Sequence, residues 1–177
     1  MHTESSIQLV GDIYQNNRIN LPEVAGVYAF WWMGSREELM SADCLKVLLK
    51  GPKGILGEIE FEDWWPPELE YPCLYVGKST NLKNRFSLHI KNGSPGRLHS
   101  IPDSGEKQKA VTTSCQLRYG IEHIFRDSKT PLDIIFNKVG FSYTTDFPDK
   151  NAIAERFYTE DRLIGIWRPW FNVDSER

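Results

Sequence analysis

Three things are scarce in this chain of 177 residues: cysteine, long apolar runs and any excess of positive charge. Its three cysteines, Cys44, Cys73 and Cys115, are odd in number and form no C-x-x-C pair. Neither a disulfide framework nor a Cys-ligated zinc site is therefore expected. No stretch approaches the ~18 apolar residues of a membrane span, and Met1-His2-Thr3-Glu4 does not open a signal peptide. The expectation is a soluble, cytoplasmic protein with no membrane partner. Internal repeats and low-complexity linkers are also lacking. What is present, 40% hydrophobic and 25% charged residues, fits one globular domain over 1–177 that can bury a real core.

The net charge of −3 at first argues against a nucleic-acid partner, because phosphate binding wants Lys and Arg. The distribution says otherwise. Residues 33–71 carry four basic and nine acidic groups, whereas 78–126 carry nine basic (Lys78, Lys83, Arg85, Lys91, Arg97, Lys107, Lys109, Arg118, Arg126) and three acidic. One basic segment lies inside an acidic chain, and steering depends on where charges sit rather than on their sum. A basic run alone is also what a solvated, loop-rich surface shows.

Along the chain, residues 25–32 predict a strand rich in aromatic and β-branched residues. Val27, Ala29 and Trp31 share one face of it, and Tyr28, Phe30 and Trp32 the other. Residues 36–50 look weakly helical, and 51–72, broken by Gly and Pro, look like loops. Residues 73–77 predict a second strand, followed by a helix from Thr80 as N-cap to Asn92-Gly93 as stop. Residues 93–109 look like a basic loop, Gln116–Phe125 a helix, Leu132–Val139 a third strand, and Asn151–Trp167 a closing helix stopped by Pro169.

Several constellations bear on chemistry. Gly77-Lys78-Ser79 mimics the end of a phosphate-binding P-loop, but Pro72 stands where its first glycine belongs and offers no backbone N–H. Arg85 and His89, four apart, stack on one side of their helix at the edge of the Leu82/Phe86/Ile90 stripe. The bland reading is an edge arginine packing its stem and a histidine satisfied by a carbonyl. On the last helix Ile153, Phe157, Ile164 and Trp167 form an apolar stripe, and Glu160 falls within about 20° of its centre. A carboxylate facing a core must be paired, hydrogen-bonded or metal-bound. The choice is a salt bridge, to Arg85 or Arg118, or a single-carboxylate metal site.

Taken together, these segments resemble the GIY-YIG nuclease family. Gly26-Val27-Tyr28 matches its first signature and Tyr75-Val76-Gly77 its second. Arg85 lies ten residues after Tyr75, and His89 four further on, as in the homing-endonuclease and restriction-enzyme branches. Glu160-Asp161-Arg162-Leu163-Ile164 with Pro169-Trp170-Phe171-Asn172 is similar to the E-x-x-L-I…P-x-x-N close, with the twelve-residue Glu–Asn spacing of the excision-repair members. The likeness covers about 24–32, 73–91 and 130–173. Tyr28 and Tyr75 are 47 apart where the family has ten or so between its signatures, so about 33–71 is an insertion, and 93–128 is another.

The resemblance implies an α/β fold, a small three-stranded antiparallel sheet flanked by helices. It also implies a divalent-metal-dependent endodeoxyribonuclease acting on DNA. Glu160 would hold one Mg²⁺ or Mn²⁺, a hard cation suited to an oxygen ligand. Arg85 would neutralise charge on the phosphate oxygens. Tyr28, Tyr75 and His89 would orient or deprotonate the attacking water, with Tyr75 or His89 as base and Tyr28 positioning. Lys78, Lys83, Arg118 and Asn172 would bind substrate, Asn172 also bracing the site. A tyrosine base needs its pKa of ~10 brought down to near 7, roughly 4 kcal/mol of differential stabilisation, from Lys78, His89 or the metal.

The alternative is a module of the same fold that binds nucleic acid without cutting it. Cleavage of both strands would call for two active sites, hence a homodimer. Trp64-Trp65 fit a dimer contact, base stacking or core, with core favoured. A polarised surface predicts DNA affinity that falls steeply with salt despite the acidic pI.

Overall fold

The computed structural model describes residues 7–15, 18–50, 56–91, 116–147 and 152–172. In chain order these form β1 (Gln8–Leu9), α1 (Val10–Ile13), β2 (Tyr14–Gln15), β3 (Arg18–Ile19), β4 (Gly26–Trp32) and α2 (Arg36–Met40). There follow β5 (Lys46–Lys50), β6 (Leu56–Glu60), β7 (Cys73–Ser79), α3 (Leu82–Lys91), α4 (Gln116–Ile124) and α5 (Pro131–Lys138). Last come β8 (Val139–Thr144), α6 (Ile153–Trp167) and a 3₁₀ turn at Trp170–Asn172. No helix among the described residues is long and apolar enough to cross a membrane.

The architecture is mixed α/β. The main sheet is antiparallel in the order β1-β8-β4-β7, three long strands extended by the two-residue β1. The expected three strands are thus four, and the third lies elsewhere. Leu132–Val139 is mostly helix α5, opened by Pro131 at its first turn and closed near Lys138, and the strand begins at Val139. A short apolar run has no period that separates strand from buried helix, and the proline at the helix start was the deciding signal.

β4 sits in the middle of the sheet, and all seven of its residues are buried. Helices cover both faces. Tyr28 and Phe30 meet α3, where Phe30 stacks on Phe86 at 6.1 Å and Tyr28 lies 5.6 Å from His89. Trp31 points the other way, 4.6 Å from Trp167 of α6, with its indole N–H donating to Ser142 Oγ at 2.8 Å. The period-2 division of that strand holds. A strand buried on both faces also explains its unbroken apolar run.

Within 33–71 the described residues include regular elements. Ser35 caps the short α2, its Oγ accepting from the Glu38 N–H at 3.1 Å, so only the start of 36–50 is helical. β5 and β6 then pair antiparallel inside the segments expected to be helix and loop. The irregular 61–72 run is tied to the body. Phe61 stacks on Trp170 at 5.0 Å, and Arg36 donates to Asp63 and to the carbonyls of Pro66 and Leu69. Trp65 is core, 3% exposed, as favoured, whereas Trp64 is half-buried.

Helix α3 starts at Leu82 rather than after Thr80. Asn81 is the cap: its Oδ1 accepts from the Asn84 N–H at 2.9 Å. Asn is among the strongest N-cap residues, and it stands one position nearer the stripe. The basic loop expected at 93–109 lies outside the described residues. Helix α6 keeps its predicted end, but its stripe is displaced. Arg156, Glu160 and Trp167 face inward, while Ile153 and Phe157 are 58% and 49% exposed.

Candidate active site

Two strands and a helix bring the tyrosines, the arginine and the histidine together. Tyr28 of β4 lies directly opposite Gly77 of β7, and Phe30 opposite Tyr75. Opposed residues share a sheet face, so both tyrosines stand on the side covered by α3. Arg85 and His89, one turn apart on α3, reach down to them. Arg85 Nε donates to the Tyr28 hydroxyl at 3.1 Å, and His89 Nε2 meets that same hydroxyl at 2.9 Å. The Tyr75 ring lies 6.1 Å from Tyr28 and 5.1 Å from His89.

Gly77 makes this packing possible. A Cβ there would fall 2.5 Å from the Tyr28 hydroxyl oxygen and 2.8 Å from the Tyr75 ring. The glycine of the second signature is therefore the floor on which the first signature's tyrosine lies. Nothing in sequence spacing alone assigns it that duty.

The ionisation states follow from burial. His89 is 0% exposed, and burial, aided by the Arg85 charge, holds its pKa down at about 3. It is neutral at pH 7. Burial pushes the Tyr28 hydroxyl well above its usual range and Tyr75 up less far. The Arg85 charge favours the phenolate of both tyrosines, and the Glu160 charge opposes it at Tyr75. The tautomer that fits has His89 Nε2–H donating to Tyr28, leaving Nδ1 as a buried acceptor with no partner. An orphaned acceptor is the milder choice than an orphaned N–H.

His89 touches no solvent and, held neutral, is engaged with the Tyr28 hydroxyl. At Tyr75 burial and the Glu160 charge oppose ionisation, and Arg85 favours it.

Glu160 joins from α6, 4% exposed, close enough for its charge to raise the Tyr75 hydroxyl. Its salt-bridge partner is Lys78 of β7, not Arg85 or Arg118. Lys78 is three residues past Tyr75, so it leaves the strand on the opposite face, and its ammonium lies 3.7 Å from the centre of the Phe157 ring. Phe157 and Glu160, three apart on α6, thus hold the lysine between them. The i, i+3 spacing was visible, but Phe157 looked like core.

Asn172 braces the sheet. Its Oδ1 accepts from the Val76 N–H at 2.7 Å and its Nδ2 donates to the Val76 carbonyl at 2.8 Å. β7 is an edge strand, and this amide covers the backbone groups beside Tyr75 as a further strand would. Both ends of the side chain are used on Val76, so in this structure the amide braces the strand. Lys83 stands on the outer side of α3, 2.8 Å from Glu23. Arg118 is withdrawn from any surface. It is 5% exposed, with Nε 2.5 Å from Glu122 and Nη1 2.9 Å from the Ile90 carbonyl. Its expected substrate contact is replaced by a buried helix-internal ion pair.

Glu160 is the residue that fits a divalent metal. Among the described residues no group of three or more His, Cys, Asp or Glu converges on a metal position. A single carboxylate suits Mg²⁺, which keeps several waters and is completed by substrate phosphate.

No protein-family model matches the chain, and comparison with curated proteins and with solved structures returns no similar protein.

Proposed function

We propose that this protein is a divalent-metal-dependent endonuclease hydrolysing DNA phosphodiester bonds, as its resemblance to the GIY-YIG nucleases implies. The observation that supports it best is the convergence of Tyr28, Tyr75, Arg85 and His89 on shared hydroxyl contacts, with Glu160 near Tyr75. Each group has work suited to its surroundings. Arg85, half-buried and held by its Tyr28 bond, presents its remaining donors to a phosphate. Tyr75 takes a proton from the attacking water, Arg85 favouring its phenolate against burial and the Glu160 charge. His89 fixes the Tyr28 hydroxyl, and Asn172 fixes the strand that carries Tyr75. A Mg²⁺ or Mn²⁺ ion at Glu160 would supply Lewis-acid stabilisation of the phosphoryl oxygens and favour the phenolate.

Lys78 gives a second reading its one support. Its ion pair with Glu160 neutralises the carboxylate without a metal, as a binding module that cuts nothing would require. The test separates the two. Supercoiled plasmid is incubated with the protein and Mg²⁺ or Mn²⁺, with EDTA as control. The nuclease reading expects metal-dependent nicking that EDTA abolishes; DNA binding without nicking leaves the module. In either case affinity for DNA should fall steeply with salt. Homodimer formation, needed for cutting both strands, belongs to the same proposal.

A further inference from the structure

A groove of about 340 Å³ opens beside the candidate site, lined by Trp64, Ile164, Arg168, Pro169 and Asn172. It adjoins Glu160 on the α6 side of the sheet. Glu160, Ile164 and Arg168 follow one another at four-residue spacing, so the groove begins about 6 Å along the helix from the carboxylate. Asn172 closes its other side with the amide that braces Val76.

Its two prominent walls are locked together. The Trp64 indole N–H donates to the Arg168 carbonyl at 2.8 Å, and Arg168 Nη1 donates to the Trp64 carbonyl at 3.3 Å. Arg168 takes the left-handed backbone conformation, φ 49°, and is the only non-glycine residue with positive φ among those described. Glycine is the usual residue at such a helix end. Here an arginine takes it, its side chain exposed at the rim with one guanidinium nitrogen bonded to the Trp64 carbonyl.

The volume lies at the low end for small-molecule sites, room for one planar heterocycle rather than a large ligand. An indole, a guanidinium and apolar walls suit the π-face of a nucleobase, and the cation suits the phosphate attached to it. We propose that this groove receives a single unstacked base of the DNA strand next to the phosphate attacked at the Tyr75–Glu160 site. The preferred substrate is then DNA carrying an unpaired nucleotide, and the 33–71 insertion, through Trp64, supplies that preference. The proposal rests on the nuclease reading above.

The test uses Glu160→Gln protein, expected on the nuclease reading to hold DNA without cutting it. Three duplexes are compared: fully paired, with one unpaired 2-aminopurine, and with an abasic site at the same position. The unpaired base should bind about 5- to 150-fold more tightly than the abasic site, the range for stacking one base on an aromatic side chain. Its fluorescence should be quenched by Trp64. Adding Trp64→Leu should erase both preference and quenching. Arg168→Gly, which suits the backbone there, should weaken binding of the unpaired-base duplex and keep the fold whatever Trp64→Leu does. Equal binding of all three duplexes, or a preference that survives both substitutions, overturns the groove while plasmid nicking by the wild type leaves the nuclease reading standing. No binding to any duplex and no nicking overturns both.

Discussion

Two buried glutamates in this molecule have opposite surroundings. Glu122 is 2% exposed and pairs with Arg118 one turn away on the same helix, with the arginine further anchored to the Ile90 carbonyl. Its second oxygen, Oε2, has no hydrogen-bond partner. Glu160 pairs instead across elements, with a lysine whose side chain is 21% exposed and rests over Phe157. One pair is sealed from water, with both charges on α4 and one carboxylate oxygen left without a partner. The other joins a helix to an edge strand beside two tyrosines, through a cation with a route to water. Lysine is a compact, flexible, strongly hydrated charge and can leave its partner more readily than a buried guanidinium fork. Burial of a carboxylate does not by itself mark a site; what its partner is free to do distinguishes the two.

The comparison can be broken first at the sealed pair. Arg118→Met should strand the Glu122 charge and cost about 3–5 kcal/mol, lowering the melting temperature by roughly 10 °C. Adding Glu122→Leu should recover most of the loss, because an apolar pair avoids the desolvation of both ions. Lys78→Met also strands a buried carboxylate, but beside a lysine site that opens to water, so its cost should lie at the low end of that range, about 3 kcal/mol. Equal losses from the two substitutions would erase the distinction between the glutamates.

A smaller effect is expected at Gly77. Gly77→Ala should cost ~1–3 kcal/mol by overpacking, and nicking should fall further than stability does, because the new methyl displaces the Tyr28 hydroxyl. A loss of stability with full nicking would remove Tyr28 from the site. A signature of another kind is in pH. His89 is held neutral with its pKa near 3, against 6.5 in the unfolded chain. A depressed histidine contributes stability that is complete above pH 6.5 and lost as pH falls towards 3. The loss should approach about 1.4 kcal/mol per pH unit within that window. Urea unfolding from pH 7 to 4 should show that slope in the wild type and not in His89→Phe; the same slope in both would mean that His89 is not the group responsible.

Much of the site was legible because its residues carry it in local spacing. Arg85 and His89 at i, i+4, and Tyr28 and Tyr75 on regular strands, fix their directions before any tertiary contact is known. Glu160 was legible as an anomaly on its helix, although the face it occupies is defined by Arg156 and Trp167 rather than by Ile153 and Phe157. What sequence could not supply were contacts set by tertiary packing. The Lys78–Glu160 pair spans 82 residues, and Asn172 reaches Val76 across 96. Arg118 counted as a free cation until a buried partner one turn away claimed it. α5 was misplaced because a central sheet strand and a covering helix are both short apolar runs, and only the proline at position 131 distinguishes this one.

The most direct test compares Glu160→Gln with Glu122→Gln on supercoiled plasmid in Mg²⁺, with thermal melting recorded alongside. The account predicts that Glu160→Gln slows nicking by roughly 10³-fold, about 4 kcal/mol of transition-state stabilisation, while melting within a few degrees of the wild type. It predicts that Glu122→Gln, whatever its melting temperature, nicks at a near wild-type rate below that temperature. Wild-type nicking by Glu160→Gln would contradict it.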